Sequence, residues 1–223
     1  MYTPMEQKQL RKEYKDNGYL VFKNVLDAGL LQETSNHVDW LMGKNPDLRP
    51  ENLGHSLMTN DPFWVRLVGD NRLLDIAEIF VGKNIALFAS HYISKPSSDG
   101  RPVLWHQDGS YWPLEPMEVI TLWLAVDEST IENGCMRVIP ESQLGASLDH
   151  QDTFSKDNLL TRGQEIIVDV DENSAIDLEL EPGFLVIVPD LHRVNNVAGR
   201  AETMGTKAQA CLLYTSDAAA EKR

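Results

Sequence analysis

Basic residues are scarce in this chain. Twenty lysines and arginines stand against 34 aspartates and glutamates in 223 residues, a net charge of -14. A nucleic-acid binder needs a basic stripe, and a chain of this sign offers no long-range attraction to polyphosphate ligands. The one basic cluster, Lys8, Arg11, Lys12 and Lys15, reads as the solvated face of a helix. Cysteine is also rare. Cys135 and Cys211 lie far apart and suggest neither a zinc knuckle nor a disulfide framework. No apolar run approaches the roughly 18 residues of a membrane span. The stretch Met1 to Leu10 is polar and lacks the apolar segment of a signal peptide. The expectation is therefore a cytoplasmic protein with no nucleic-acid or membrane partner, acting on a small molecule.

What is present is ordinary for a globular domain: 42% hydrophobic and 24% charged residues, enough for one sizeable core. Met5 to Asn17 reads as a helix stopped by Gly18, followed by a short apolar strand, Tyr19 to Phe22. Leu26 to Met42 has helical periodicity, with Leu30, Leu31, Val38 and Leu41 roughly on one side. Lys44 to Asn60 reads as a polar loop and Pro62 to Val81 as another helix. After Gly82 the pattern changes to strands: Ala86 to Lys95, Pro102 to Asp108, Val119 to Val126, Cys135 to Ile139, Glu165 to Val170, Ile176 to Leu180 and Phe184 to Val188. Short strands separated by turn signals predict a sandwich or barrel of jelly-roll type with the early helices packed outside.

His-x-Asp occurs three times, at His37-Val38-Asp39, His106-Gln107-Asp108 and His150-Gln151-Asp152. On a strand, residues i and i+2 share a face, so an imidazole and a carboxylate can hold one metal. A second histidine completes a 2-His-1-carboxylate triad with open positions, which suits non-haem Fe(II). The first copy lies in a helical pattern, where i and i+2 diverge by about 200°. The third lies in a polar loop with no strand to fix it. The second follows an extended segment and is flanked by Trp105, Tyr111 and Trp112. His106 and Asp108 are therefore the candidate metal ligands; a hydrogen-bonded His–Asp pair at a strand end is the alternative. For the third ligand, His192 closely follows the apolar strand Phe184 to Val188. His91 is a rival that shares a face with Lys95.

Several segments together resemble the phytanoyl-CoA dioxygenase family of Fe(II)/2-oxoglutarate oxygenases, over about Tyr14 to Arg200. They are Asn17-Gly18-Tyr19-Leu20-Val21, Trp105-His106-Gln107-Asp108-Gly109 and Thr121-Leu122-Trp123-Leu124-Ala125. To these add Glu132-Asn133-Gly134-Cys135-Met136-Arg137-Val138-Ile139-Pro140, and Pro182-Gly183 followed by an apolar strand and His192. The resemblance implies a mainly β fold with flanking helices, a double-stranded β-helix of cupin-like jelly-roll form. It implies Fe(II) held by His106, Asp108 and His192, with 2-oxoglutarate and O2 as cosubstrates, and hydroxylation of a substrate with release of succinate and CO2. Arg200 is the nearest match to the family's arginine for the distal carboxylate of 2-oxoglutarate, and a planar guanidinium suits a carboxylate. Lys95 resembles a lysine that precedes the metal motif in some relatives. Thr121 and Trp123 would flank the cosubstrate. Tyr111 and Trp112 would line the substrate wall or pack at its rim. The acidic balance gives no support for binding the phosphates of coenzyme A.

The chain departs from the family at two places. Pro140-Glu141-Ser142-Gln143 stands where the family has Pro-Gly-Ser-His. His192-Arg193-Val194-Asn195-Asn196 lacks the Gly-Ser pair expected after the distal histidine. One oxygenase domain is expected over 1–210, helical to about residue 82 and β over about 83–200. Residues 211–223, from Cys211-Leu212-Leu213-Tyr214-Thr215-Ser216-Asp217 onward, resemble a translated sequencing-library adapter rather than family sequence. The expectation is that the jelly roll lacks an edge strand there and exposes unpaired backbone. The altered distal motif keeps open a catalytically impaired binding protein, and a cupin-type metalloenzyme that does not use 2-oxoglutarate is a further alternative.

Overall fold

The structure is a computed structural model. It describes residues 2–53, 57–96, 100–112, 114–115, 118–155, 159, 163–189, 194–196, 209–216 and 220–221. Helix α1 (Pro4–Asn17) starts in a capping box, in which Thr3 and Glu6 satisfy each other's backbone N–H groups, and ends at Gly18 with φ of 79°. Strand β1 (Leu20–Phe22) follows, then α2 (Ala28–Lys44), capped by the Asp27 carboxylate and burying Leu30, Thr34, His37, Val38 and Leu41. The expected polar loop over 44–60 contains a 3-10 turn (Pro50–Asn52) and a single-turn helix α3 (Leu57–Asn60). The expected helix over 62–81 is two: α4 (Pro62–Val68) and α5 (Asn71–Val81). Asp70 breaks it, because its side chain accepts the Arg72 N–H and starts a new helix.

The remaining strands are β2 (Ile85–Ile93), β3 (Val103–His106), β4 (Leu114–Glu115), β5 (Val119–Ala125), β6 (Met136–Val138), β7 (His150–Asp152), β8 (Gln164–Ile166), β9 (Ile176–Leu178), β10 (Leu185–Pro189), β11 (Val194–Asn196), β12 (Gln209–Ser216) and β13 (Ala220–Glu221). Five form one antiparallel sheet in the order β1-β10-β5-β12-β2, and four form a second in the order β3-β11-β6-β9. The fold is the expected jelly roll with flanking helices.

Period-2 alternation divides each central strand between two cores. On β5, Leu122 and Leu124 join Leu185 and Ile187 of β10 and Leu212 of β12 against Trp64, Leu67, Leu73 and Ile76 of the helices. Trp123 and Ala125 face the other way, with Val186, Val188 and Leu213, toward Met136, Val138 and Leu178 of the second sheet. The first core seals helices onto the sheet, and the second lies between the sheets.

The expectation of an open sheet edge is corrected. Residues 209–216 form β12 between β5 and β2, paired with both. Ala210, Leu212 and Tyr214 enter the helix-side core, while Cys211 and Leu213 enter the core between the sheets. A strand apolar on both faces fits an interior sheet position, because both faces are covered. The Tyr214 hydroxyl donates to the Val68 carbonyl at 2.6 Å, so the strand is also tied to α4.

The two-faced burial of β5 is testable. Leu122→Ala should cost about 2–5 kcal/mol of stability. Leu144→Ala, at a position 64% exposed, should stay within about 0.5 kcal/mol. Urea denaturation reads both, and equal effects at the two positions would refute the assignment of Leu122 to the core.

Candidate metal centre

Strand β3 ends at His106, and a 3-10 turn over Asp108–Tyr111 begins two residues later. The two candidate ligands therefore do not share a strand face as the simple pattern predicts. They converge because Gln107 stays extended, with φ -121° and ψ 122°, before the chain turns. His106 Nε2 and Asp108 Oδ1 lie 3.2 Å apart. The other ring nitrogen, Nδ1, is 2.8 Å from the Leu104 carbonyl oxygen and donates to it. That contact orients the ring and turns Nε2 to the carboxylate, which favours a proton on Nε2 in the metal-free protein. Thr121 Oγ1 donates to Asp108 Oδ2 at 3.3 Å, which leaves Oδ1 for Nε2. Burial would depress the imidazole's pKa, but the hydrogen bond and charge of Asp108 outweigh it and raise it.

This pair borders a cavity of about 220 Å3. Alternation on three strands delivers its walls: Ala89, His91 and Ile93 from β2, Thr121 and Trp123 from β5, Cys211 and Leu213 from β12. Val103 and His106 come from β3, Met136 from β6, Val188 from β10 and Val194 from β11. Trp112 closes one side, where its ring meets Phe88 edge-on at 5.5 Å. Phe88 reaches it because the β2–β12 register slips by one residue there, with Leu213 opposite Ala89 and Tyr214 opposite Leu87. Trp123 Nε1 is buried with no hydrogen-bond partner among the described residues.

Thr121, Trp123 and Trp112 all line this cavity. The Tyr111 backbone belongs to the 3-10 turn, and its side chain lies outside the described residues. His192 and Arg200 also lie outside them. Val194, two residues on in sequence from His192, pairs with His106 across β11 and β3. Among the described residues no three His, Cys, Asp or Glu side chains gather as a metal site. Gln164 of β8 lines the cavity and was not foreseen, since a lone glutamine in a polar stretch carries no pattern.

Lys95 is buried, at 6% exposure, and is not among the residues lining this cavity. Strand β2 ends at Ile93, so the alternation that carries His91 and Ile93 inward stops short of it. Burial pushes its pKa down to about 7, against the opposing influence of Cys135 and Glu51. The Glu51 carboxylate is held by Arg49 at 2.8 and 3.0 Å and has Arg101 Nε at 3.6 Å.

The third His-x-Asp is a correction. His150–Asp152 is not loop but strand β7, paired with β8. His150 Nε2 accepts the Gln107 backbone N–H at 3.0 Å. The first copy is helical, as expected. His37 on α2 bonds Asp61 at 2.9 Å, not its neighbour Asp39.

Comparison with known proteins bears on the family and the fold. The phytanoyl-CoA dioxygenase (PhyH) family profile matches residues 14–192. The peroxisomal phytanoyl-CoA dioxygenase of Homo sapiens is 27% identical over 236 residues, covering 93% of this chain and 68% of that protein. A probable alpha-ketoglutarate-dependent hypophosphite dioxygenase of Stutzerimonas stutzeri is 38% identical over 85 residues, 38% of this chain and 29% of that protein. The chain thus spans less than a third of one relative and about two thirds of the other. Among solved structures, the apo non-heme monooxygenase ThoJ superposes with a TM-score of 0.81 at 20% identity, covering 96% of this chain and 80% of its own. The epimerase SnoN, in complex with Fe3+, alpha ketoglutarate and a nogalamycin compound, superposes at 0.79 and 18%, covering 99% and 88%.

The electrostatics of Lys95 give a test of their own. Its pKa is about 7 in the fold against an ordinary 10.5, so between these values the unfolded chain binds more protons. Stability contributed at this site therefore rises with pH across that window. Lys95→Met should be more stable than the parent at pH 7 and below, by a few kcal/mol on the order expected for a buried amine. The gap should close toward pH 10. Denaturant unfolding of both proteins across this range measures it, and a gap independent of pH would refute the depressed amine.

Proposed function

Since the chain belongs to the phytanoyl-CoA dioxygenase family, we propose that it is an Fe(II)- and 2-oxoglutarate-dependent dioxygenase that hydroxylates a small-molecule substrate. The observation that carries this reading is the imidazole and carboxylate brought together at the cavity wall. His106 Nδ1 is turned to the Leu104 carbonyl, and Nε2 faces Asp108 Oδ1 at 3.2 Å. A shared proton bridges that contact in a metal-free protein and a shared cation can replace it; an imidazole with a carboxylate is a donor set suited to non-haem Fe(II). His192 is the proposed third ligand, supported by the pairing of nearby Val194 with His106. Bound iron would supply O2 activation, coupled to decarboxylation of 2-oxoglutarate to succinate and CO2, with one oxygen atom going to the substrate.

The chain's own residues bind and orient. Leu104 and Thr121 fix the His106 ring and the Asp108 carboxylate through their hydrogen bonds. Trp123 Nε1–H, buried and unpartnered among the described residues, is a donor placed for a carboxylate oxygen of 2-oxoglutarate. Arg200 is the proposed partner of the distal carboxylate. Ile93, Val103, Met136, Val188 and Leu213 make much of the wall apolar, beside the polar His91 and Gln164, which suits a hydrocarbon portion of the substrate. No lysine or arginine lines the cavity among the described residues, so the wall supports an uncharged group at the reacting end.

Anaerobic addition of Fe(II) and 2-oxoglutarate should produce a weak visible charge-transfer band. Asp108→Ala should abolish the band and cut succinate formation by about 100-fold or more. Trp123→Phe should keep the iron but weaken 2-oxoglutarate by roughly 10-fold, the worth of a hydrogen bond to a charged acceptor. Absence of both band and succinate in the parent protein would favour a jelly-roll binding protein. Turnover that persists when only 2-oxoglutarate is withheld would favour a cupin-type metalloenzyme.

A further inference from the structure

We propose that His150 is a positioning residue for the metal-binding pair, gripping the peptide between His106 and Asp108 so that both side chains point at one ion. The proposal rests on the iron reading above. Gln107 is the residue between the two ligands, and it has no exposed surface. The β3 ladder ends at His106 and the next turn begins at Asp108. Gln107 lies past the strand and caps the turn, and its torsions decide how the two ligands converge.

The segment Leu148-Asp149-His150 holds Gln107 at two points. The Gln107 backbone N–H donates to His150 Nε2 at 3.0 Å. The Leu148 backbone N–H donates to Gln107 Oε1 at 2.8 Å. His150 is itself oriented, because its Nδ1–H donates to the Leu148 carbonyl at 2.8 Å. This fixes the tautomer with the lone pair on Nε2, the form needed to accept the peptide N–H. Main chain and side chain of Gln107 are thus pinned by one short segment, and rotation of the peptide following His106 is blocked. Losing the acceptor would leave a buried N–H unsatisfied, and the peptide would turn to find another partner. That turn would move Asp108 relative to His106. The same hairpin, β7 with β8, places Gln164 on the cavity wall, so it touches the site from two sides.

The test is anaerobic Co(II) titration, read by visible d–d absorption, with a thermal melt of each metal-free protein. His150→Ala should weaken Co(II) by about 10- to 100-fold, as outer partners of ligands do, and should alter the band. His150→Gln puts an amide oxygen near the position of Nε2 and should recover most of the affinity. Gln151→Ala, an exposed neighbour on β7, should match the parent. Should His150→Ala fail to fold, His150→Asn replaces it, since its shorter amide falls short of the Gln107 N–H; weak binding by Asn beside near-parental binding by Gln supports the proposal. Affinity and band unchanged in the Ala or Asn variant would overturn it. So would equal weakening in the Asn and Gln variants. A parent protein that binds no Co(II) would overturn the iron reading, and this proposal with it.

Discussion

Every residue of β5 is buried, and this single constraint organises the molecule. A strand with no solvent face must have a partner layer on each side. On one side Leu122 and Leu124 require the helices, and α4 and α5 answer with Trp64, Leu67, Leu73 and Ile76. On the other side Val119, Trp123 and Ala125 pack with Met136, Val138 and Leu178 of the second sheet. The cavity lies between the sheets beside this packing, with Thr121 and Trp123 on its wall. The two faces of one strand thus separate stability from chemistry. Thr121 illustrates the join: it is a wholly buried strand residue, and its hydroxyl reaches the Asp108 carboxylate.

Much of this was legible in the sequence, for physical reasons. Strict alternation over 119–126 placed Thr121 and Trp123 on one face, and the backbone repeat of two leaves no other arrangement for a straight strand. The capped first helix was equally plain, since Gly18 tolerates the left-handed turn that ends it. The failures came where a side chain, not a periodicity, decides the backbone. Asp70 splits a long apolar helical pattern by capping its second half, and an apolar count is blind to that. Phe88 has the wrong parity for the cavity and still meets Trp112, because a register slip redirects it. His192 and Arg200 remain expectations of pattern and resemblance alone, outside the described residues.

The C-terminal strand shows the same limit from the other direction. The run from Cys211 onward reads from sequence as a tail outside the domain. Strand pairing depends on which side chains fit each face, not on ancestry. Ala210, Leu212 and Tyr214 suit the helix-side core, Cys211 and Leu213 suit the cavity side, and the segment lies between β5 and β2. The outer strands of that sheet are instead β1 and β2.

The three His-x-Asp copies explain why a tripeptide is poor evidence and a partner list is good evidence. In each, the histidine is engaged, but with a different atom of the fold. His37 turns away from Asp39 because a helix sends adjacent-but-one residues to different sides, and it finds Asp61 across the loop. His150 faces a peptide N–H, which an imidazole can accept only while neutral and unligated at Nε2. Only His106 has its free nitrogen directed at its own aspartate. A proton or a metal can satisfy that contact. Leu104 accepts from the other ring nitrogen, Thr121 donates to the far carboxylate oxygen, and Nε2 and Oδ1 meet at the wall of a mostly apolar cavity.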